Sequence, residues 1–178
     1  MSRRDFNPKD RFAAYSLGSV ISHWLSAIIV VVLYINHADD PTPAHLGLGL
    51  IAAPFLLLRV QNRFRRGYAR MSDHSAIYNF ATRLVMTLML VCILALALSG
   101  ILLPALTGNA YDIFGWVRFT LPFPPSRTLG PFMQTVHAIA GHAVVILAVI
   151  HVFDTVAQQF YDRSTILVRM LRPVKDGK

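Results

Sequence analysis

Glutamate is absent from this chain of 178 residues: all nine acidic side chains are aspartate. That is a thin supply for paired-carboxylate catalysis. Cysteine is nearly absent too. The single Cys92 excludes an intrachain disulfide, and without a C-x-x-C-H sequence there is no site for covalent c-type haem attachment. Lying in an apolar run, Cys92 reads as a small buried side chain. Charge of either sign is scarce, at 15% of residues against about 25% in an ordinary soluble domain. Hydrophobic residues make up 54%, and the mean hydropathy is +0.49. Such a composition belongs to a membrane protein, with room for one bundle of four spanning helices and little else. No internal repeat, low-complexity tract or second domain is visible.

Four apolar runs of spanning length cover about residues 17–35, 44–62, 82–103 and 132–156. The first follows a basic stretch and looks at first like a signal sequence. It is too long for an h-region, and NHADDPTP after it offers no A-x-A-like cleavage site, so it reads as a retained helix. Pro54 in the second run is tolerable as a membrane-helix kink, and Pro104 closes the third. The loop from Pro104 to Pro131 is rich in Gly, Pro and aromatics. Its centre, YDIFGWVRF, is expected to form a short helix at the interface, where Trp116 and the Phe side chains are at home. Beyond the fourth run, Ser164 is placed to cap a short C-terminal interfacial helix, TILVRMLR, which Pro173 stops. The expected fold is therefore an all-α integral membrane four-helix bundle forming a single domain over residues 1–178.

Orientation follows from the cations. Fifteen of the seventeen Lys and Arg residues fall in the N-terminus, in the segment from Arg59 to Arg83 and in the tail from Arg163; the other two are Arg118 and Arg127. The positive-inside rule then puts both termini in the cytoplasm. The formal net charge of +8 is thus explained by topology and anionic headgroups, with no nucleic acid as partner.

Against that topology the seven histidines sort by depth. His137 and His151 are fourteen residues apart on the fourth run. At 100° and 1.5 Å per residue they return to within about 40° of one face and lie about 21 Å apart. His23 sits near the cytoplasmic end of the first run and His45 at the outer start of the second. Two depth-matched pairs result, His23 with His151 and His45 with His137. His37, His74 and His142 fit neither pair; His142 is about 140° round the helix from His137. The plain alternative is that each ring is a hydrogen-bonded packing residue. Two matched pairs sharing one helix favour a cofactor, since a polar ring in a bilayer is costly to leave unpaired. Structural zinc wants about four ligands, usually with cysteine. Paired imidazoles facing across a bundle suit the axial positions of haem iron, and bis-His ligation favours electron transfer over oxygen chemistry. Arg59 and Arg63 are the candidate propionate partners on the cytoplasmic side, Arg118 or Arg127 on the outer side. For each of the four, a role in topology or headgroup contact is the alternative.

In this setting the sequence resembles the bacterial cytochrome b561 family, four-helix di-haem b proteins that include the superoxide oxidase. The residues that carry the resemblance run in order along nearly the whole chain. They are Tyr15-Ser16 and Ile21-Ser22-His23-Trp24, then His45 with Gly49, and Arg59 with Arg63. After these come Gly100, Phe114-Gly115, Leu121-Pro122, His137, His151 and the ending Leu167 to Pro173. The resemblance implies two haem b groups, held by His23 with His151 and by His45 with His137. It also implies a bacterial inner-membrane location and electron movement between the periplasmic face and a membrane quinone, with ubiquinone as redox partner. Its most specific form is a superoxide:ubiquinone oxidoreductase. The alternative is an electron-transfer or anchor subunit serving a partner redox protein or a larger respiratory complex. The chain departs from its relatives at the start of the third helix, where they often carry extra histidines and this chain has Arg83 and Met86.

Overall fold

The computed structural model describes residues 17–37, 42–66 and 75–161. Four long helices make up most of it: α1 (Leu17–Ile35), α2 (Pro43–Arg66), α3 (Ala76–Thr107) and α4 (Leu129–Tyr161), with strands β1 (Tyr111–Ile113) and β2 (Val117–Phe119) between the last two. All four helices are long and apolar enough to cross a membrane. Large apolar side chains such as Ile28, Ile51, Val91 and Ile146 cover the outside of the bundle. In water that surface would drive aggregation; against lipid it is the favourable arrangement. The segment expected to form a C-terminal interfacial helix lies outside the described residues, as do Tyr15, Ser16 and His74.

Local chemistry sets the helix ends. Thr42 caps α2, its Oγ1 accepting from the His45 backbone N–H at 3.1 Å, and Pro43 takes the first helical position, where its missing N–H costs nothing. Ser75 caps α3 through the Tyr78 N–H. Pro104 does not close α3. The helix continues to Thr107 and stops at Gly108, in the left-handed conformation at φ 76°. A proline so near a C-terminus removes a single hydrogen bond, and the turn survives.

α3 and α4 pack most extensively, while α1 packs mainly on α2. The apolar core lies at mid-depth: Ala52, Leu56 and Val60 from α2, Leu90 and Ile93 from α3, Val144 from α4. Cys92 packs against it but is half-buried, less enclosed than its apolar setting suggests. Buried hydroxyls in the apolar helices are satisfied locally; Ser26 donates to the Ser22 carbonyl at 2.6 Å.

The YDIFGWVRF segment forms an antiparallel hairpin, not the expected interfacial helix, pairing Tyr111 with Phe119 and Ile113 with Val117. Phe114 and Gly115 both have positive φ, 55° and 77°, and the Trp116 N–H bonds back to the Ile113 carbonyl. Two successive positive φ values give the tight connection a twist that matches paired strands. Phe114 accepts the unfavourable φ because its ring and backbone dock on α2 at Gly47. A Cβ there would meet the Phe114 backbone nitrogen at 2.8 Å. Tyr111 stacks on Phe119 and donates its hydroxyl to the Ile101 carbonyl.

Asp112 ties the hairpin together. It is 4% exposed, and its carboxylate accepts from the Gly115 N–H at 2.6 Å and from Arg118 at 2.8 Å. These bonds, the Gly115 N–H first, hold its pKa below the ordinary aspartate range. A depressed folded value means that this contribution is complete above the unfolded value of about 3.9 and lost as pH falls through the lowered one. Asp112→Asn keeps an acceptor for Gly115 but sets an amide NH₂ against Arg118. It is expected to loosen the hairpin at neutral pH and flatten its acid dependence, read from Trp116 emission against pH. An unchanged acid profile would contradict this account.

Candidate functional site

Two histidine pairs stand one above and one below the mid-depth core. At the hairpin end, His45 of α2 faces His137 of α4, with ring centres 6.2 Å apart and planes at 75°. At the opposite end, His23 of α1 faces His151 of α4 at 6.5 Å and 76°. All four rings are half-buried. These are the pairs the depth argument brings together from sequence. Imidazoles bound through nitrogen at about 2 Å on either side of one metal ion have ring centres roughly 6 Å apart. The spacing would let a haem iron be held between the two rings at either end.

The hairpin-end pair is prepared further. His45 Nδ1 donates to the Leu33 carbonyl at 3.0 Å. His137 Nδ1 lies 2.8 Å from Ser99 Oγ, whose own proton goes to the Ala95 carbonyl at 2.6 Å. A hydroxyl already donating must accept here, so the proton on His137 sits on Nδ1. Both Nε2 atoms are left with a free lone pair, the tautomer a metal-binding imidazole needs. Space is provided as well. Gly49 and Gly141 each follow a ligand candidate by one turn, and both line a cavity of about 550 Å³ together with His45, His137 and Gly100. Pockets for cofactors of this class run from about 300 to 1,000 Å³. A Cβ on Gly100 would lie 3.3 Å from His137 Cε1, so a larger residue there would crowd the ring. A flat macrocycle fits this cradle.

The opposite pair is arranged differently. Arg59 Nη2 lies 2.8 Å from His23 Nδ1, and its Nη1 donates to Ser22 Oγ at 3.3 Å. A guanidinium only donates, so Nδ1 accepts and the His23 proton sits on Nε2. A haem propionate would offer Arg59 an anion; with Nδ1 released, His23 could carry its proton there and present Nε2 as a ligand. Arg63, the second candidate, reaches Met86 Sδ at 3.9 Å. Arg118 is ion-paired with Asp112 at 2.8 Å, and Arg127 is exposed in the turn before α4.

Two features escape a reading by sequence. Ser99, 1% exposed, orients His137; a serine beside a glycine in an otherwise apolar run was the available signal. Asp154, three residues past His151, accepts from Tyr78, Thr82 and Gln158, and Gln158 is 3% exposed. It is the sole carboxylate of the fourth span, and that isolation marks it. An ionisable group at such depth requires this degree of pairing.

A family model described as prokaryotic cytochrome b561 matches residues 14–173. The chain belongs to that family. It is a b-type cytochrome of the bacterial inner membrane, a multi-pass protein that binds haem b and transfers electrons. A curated relative, "Cytochrome b561 homolog 2" of Escherichia coli (strain K12), is 25% identical over 170 residues, covering 88% of this chain and 90% of the relative. When bound, haem b supplies reversible one-electron chemistry. The residues placed to serve such a group are Ser99 and the Leu33 carbonyl, which would orient the imidazoles, and Gly49, Gly100 and Gly141, which would leave it room.

Proposed function

We propose that the protein carries two haem b groups, one between His45 and His137 and one between His23 and His151, and moves electrons between the periplasmic face and the membrane quinone pool. The observation that carries this reading is the sharing of α4 by both pairs at a fourteen-residue interval. The helix rise sets the two sites about 21 Å apart, and each ring meets a partner from a different helix. Arg59 and Arg63 are the proposed propionate partners at the cytoplasmic end. The cation count supports cytoplasmic termini and a periplasmic hairpin end.

The most specific form of this function is superoxide:ubiquinone oxidoreduction. Each superoxide gives up one electron and leaves as O₂; two such electrons and two protons convert ubiquinone to ubiquinol. A second reading, an electron-transfer subunit docked to a partner redox protein, is favoured by the hairpin itself. Trp116 is 86% exposed at its tip, and Arg118 is already engaged by Asp112, which leaves little cationic attraction for a small anion. Stopped-flow mixing of the haem-loaded protein with a superoxide pulse, with ubiquinone present, separates the two. Haem reduction faster than spontaneous dismutation, followed by reoxidation by quinone, supports the oxidase. No reduction above the dismutation background would sink it and favour the docked subunit, which predicts a co-purifying partner.

A further inference from the structure

Three aromatic side chains at the hairpin end take no part in the two pairs described above. Tyr34 stacks on His37 with ring centres 4.9 Å apart, and both meet His142 edge-on, at 6.0 and 6.1 Å. His37 lies two residues beyond the end of α1, and His142 lies on α4 one turn past Ala138. The His37–His142 separation of 6.1 Å nearly equals the 6.2 Å of His45–His137. Each ring also has the second bond typical of a metal-binding imidazole. His37 Nδ1 donates to the Tyr34 carbonyl and His142 Nδ1 to the Ala138 carbonyl at 2.8 Å. Both Nε2 atoms therefore carry a lone pair.

We propose that His37 and His142 form a separate two-histidine site for a divalent transition-metal cation, Cu²⁺ in preference to Zn²⁺, that joins the end of α1 to α4. The donors are imidazole nitrogens, which suit Cu²⁺, Ni²⁺ and Zn²⁺, with Cu²⁺ bound most tightly; Mg²⁺ and Ca²⁺ want oxygen. Among the described residues no third His, Cys or Asp joins them, so the remaining positions belong to water and the site stays open to exchange. Tyr34, His37 and His142 line the rim of the same cavity as His45 and His137, but the pair is not built to hold a haem between its rings. The residue one turn after His142 is Ile146, not glycine, and both rings are exposed where His45 and His137 are half-buried. Packing does not account for it either, since exposed rings with fixed tautomers contribute little apolar burial. Tyr34 holds His37 in place by stacking and by its carbonyl. α1 packs mainly on α2, so a metal bridging His37 and His142 clamps the most loosely held helix across the rim of the cavity.

The test uses the haem-loaded protein in detergent, freed of adventitious metal by chelation, then dialysed against Cu²⁺ or, separately, Zn²⁺. Metal and haem are counted on the same sample. The expected result is a single Cu²⁺ per chain beyond the haem iron, with nitrogen hyperfine structure in its electron paramagnetic resonance spectrum. His37→Ala, His142→Ala and His142→Gln should each weaken Cu²⁺ binding by more than about tenfold, because one of two protein ligands is gone. All three should keep the wild-type haem content, and His74→Ala should keep the metal. Wild type without Cu²⁺, or variants that bind it as well as wild type, would overturn the proposal. Haem lost from the variants in place of Cu²⁺ would overturn it too, by assigning these rings to the haem cavity. Because haem is counted separately, failure of this site leaves the His45–His137 and His23–His151 reading to stand or fall on its own.

Discussion

His137→Ala is expected to halve the haem b content, from the proposed two groups per chain to one, and His45→Ala to do the same. The reason is geometric. The two rings face one another across the hairpin-end cavity at 6.2 Å, and the fixed Nδ1 bonds to Ser99 and the Leu33 carbonyl leave one nitrogen on each for iron. Removing either would leave one imidazole where the proposed haem is held by two, and truncation also opens a void beside the remaining ring. The remaining haem should stay, because the mid-depth core of Leu56, Ile93 and Val144 separates the sites. His151→Ala and His23→Ala are expected to remove the other haem and spare the first. The double variant His45→Ala/His137→Ala should lose no more haem than either single one, since both residues serve one site. Haem per chain and the reduced-minus-oxidised spectrum of each variant check this. Retention of both haems after loss of His151 would show that the pairing is wrong.

Gly100→Val is expected to empty the same site without touching a ligand. A Cβ at this position lies 3.3 Å from His137 Cε1 and 3.8 Å from its Nδ1. The valine methyls reach further and push the ring away from Ser99, so both the space and the orienting bond are lost. Disturbing such a supporting contact typically costs about 10- to 100-fold in metal affinity. The backbone of α3 does not suffer, because valine is a better helix residue than glycine by a few tenths of a kcal/mol. The informative result is therefore a protein with wild-type helix content and yield but about one haem. A variant that retains both haems with unchanged spectra would show that the glycine matters only to helix packing.

Much of this architecture was legible in the residues, and the parts that were not have physical reasons. Four apolar runs of spanning length leave few alternatives in a chain with so little charge, so the bundle could be read directly. The His23–His151 and His45–His137 pairs followed from helix rise, rotation and charge-derived orientation, all of which are local quantities. Pro104 looks like a stop for α3, but a proline in the last turn costs one bond, and Gly108 in the left-handed conformation decides where the helix ends. YDIFGWVRF has the aromatic content of an interfacial helix, and its hairpin depends on Phe114 taking a positive φ, which docking at Gly47 makes worthwhile. The angle of His142 from His137 takes it off the face of the two pairs. The contact with His37 depends on how the end of α1 lies beside α4, and no single-helix argument contains that. The bonds from Arg59 to His23 and Ser22 cross from α2 to α1, and no single-helix argument contains them either.

The central claim is that α4 carries one axial ligand for each of two haems. A pyridine haemochrome assay combined with a reduced-minus-oxidised spectrum, on protein purified from cells with ample haem, tests it most directly. The account predicts haem b at two groups per chain. A single haem, or a sample without a Soret band, would contradict it and return one or both histidine pairs to a packing role.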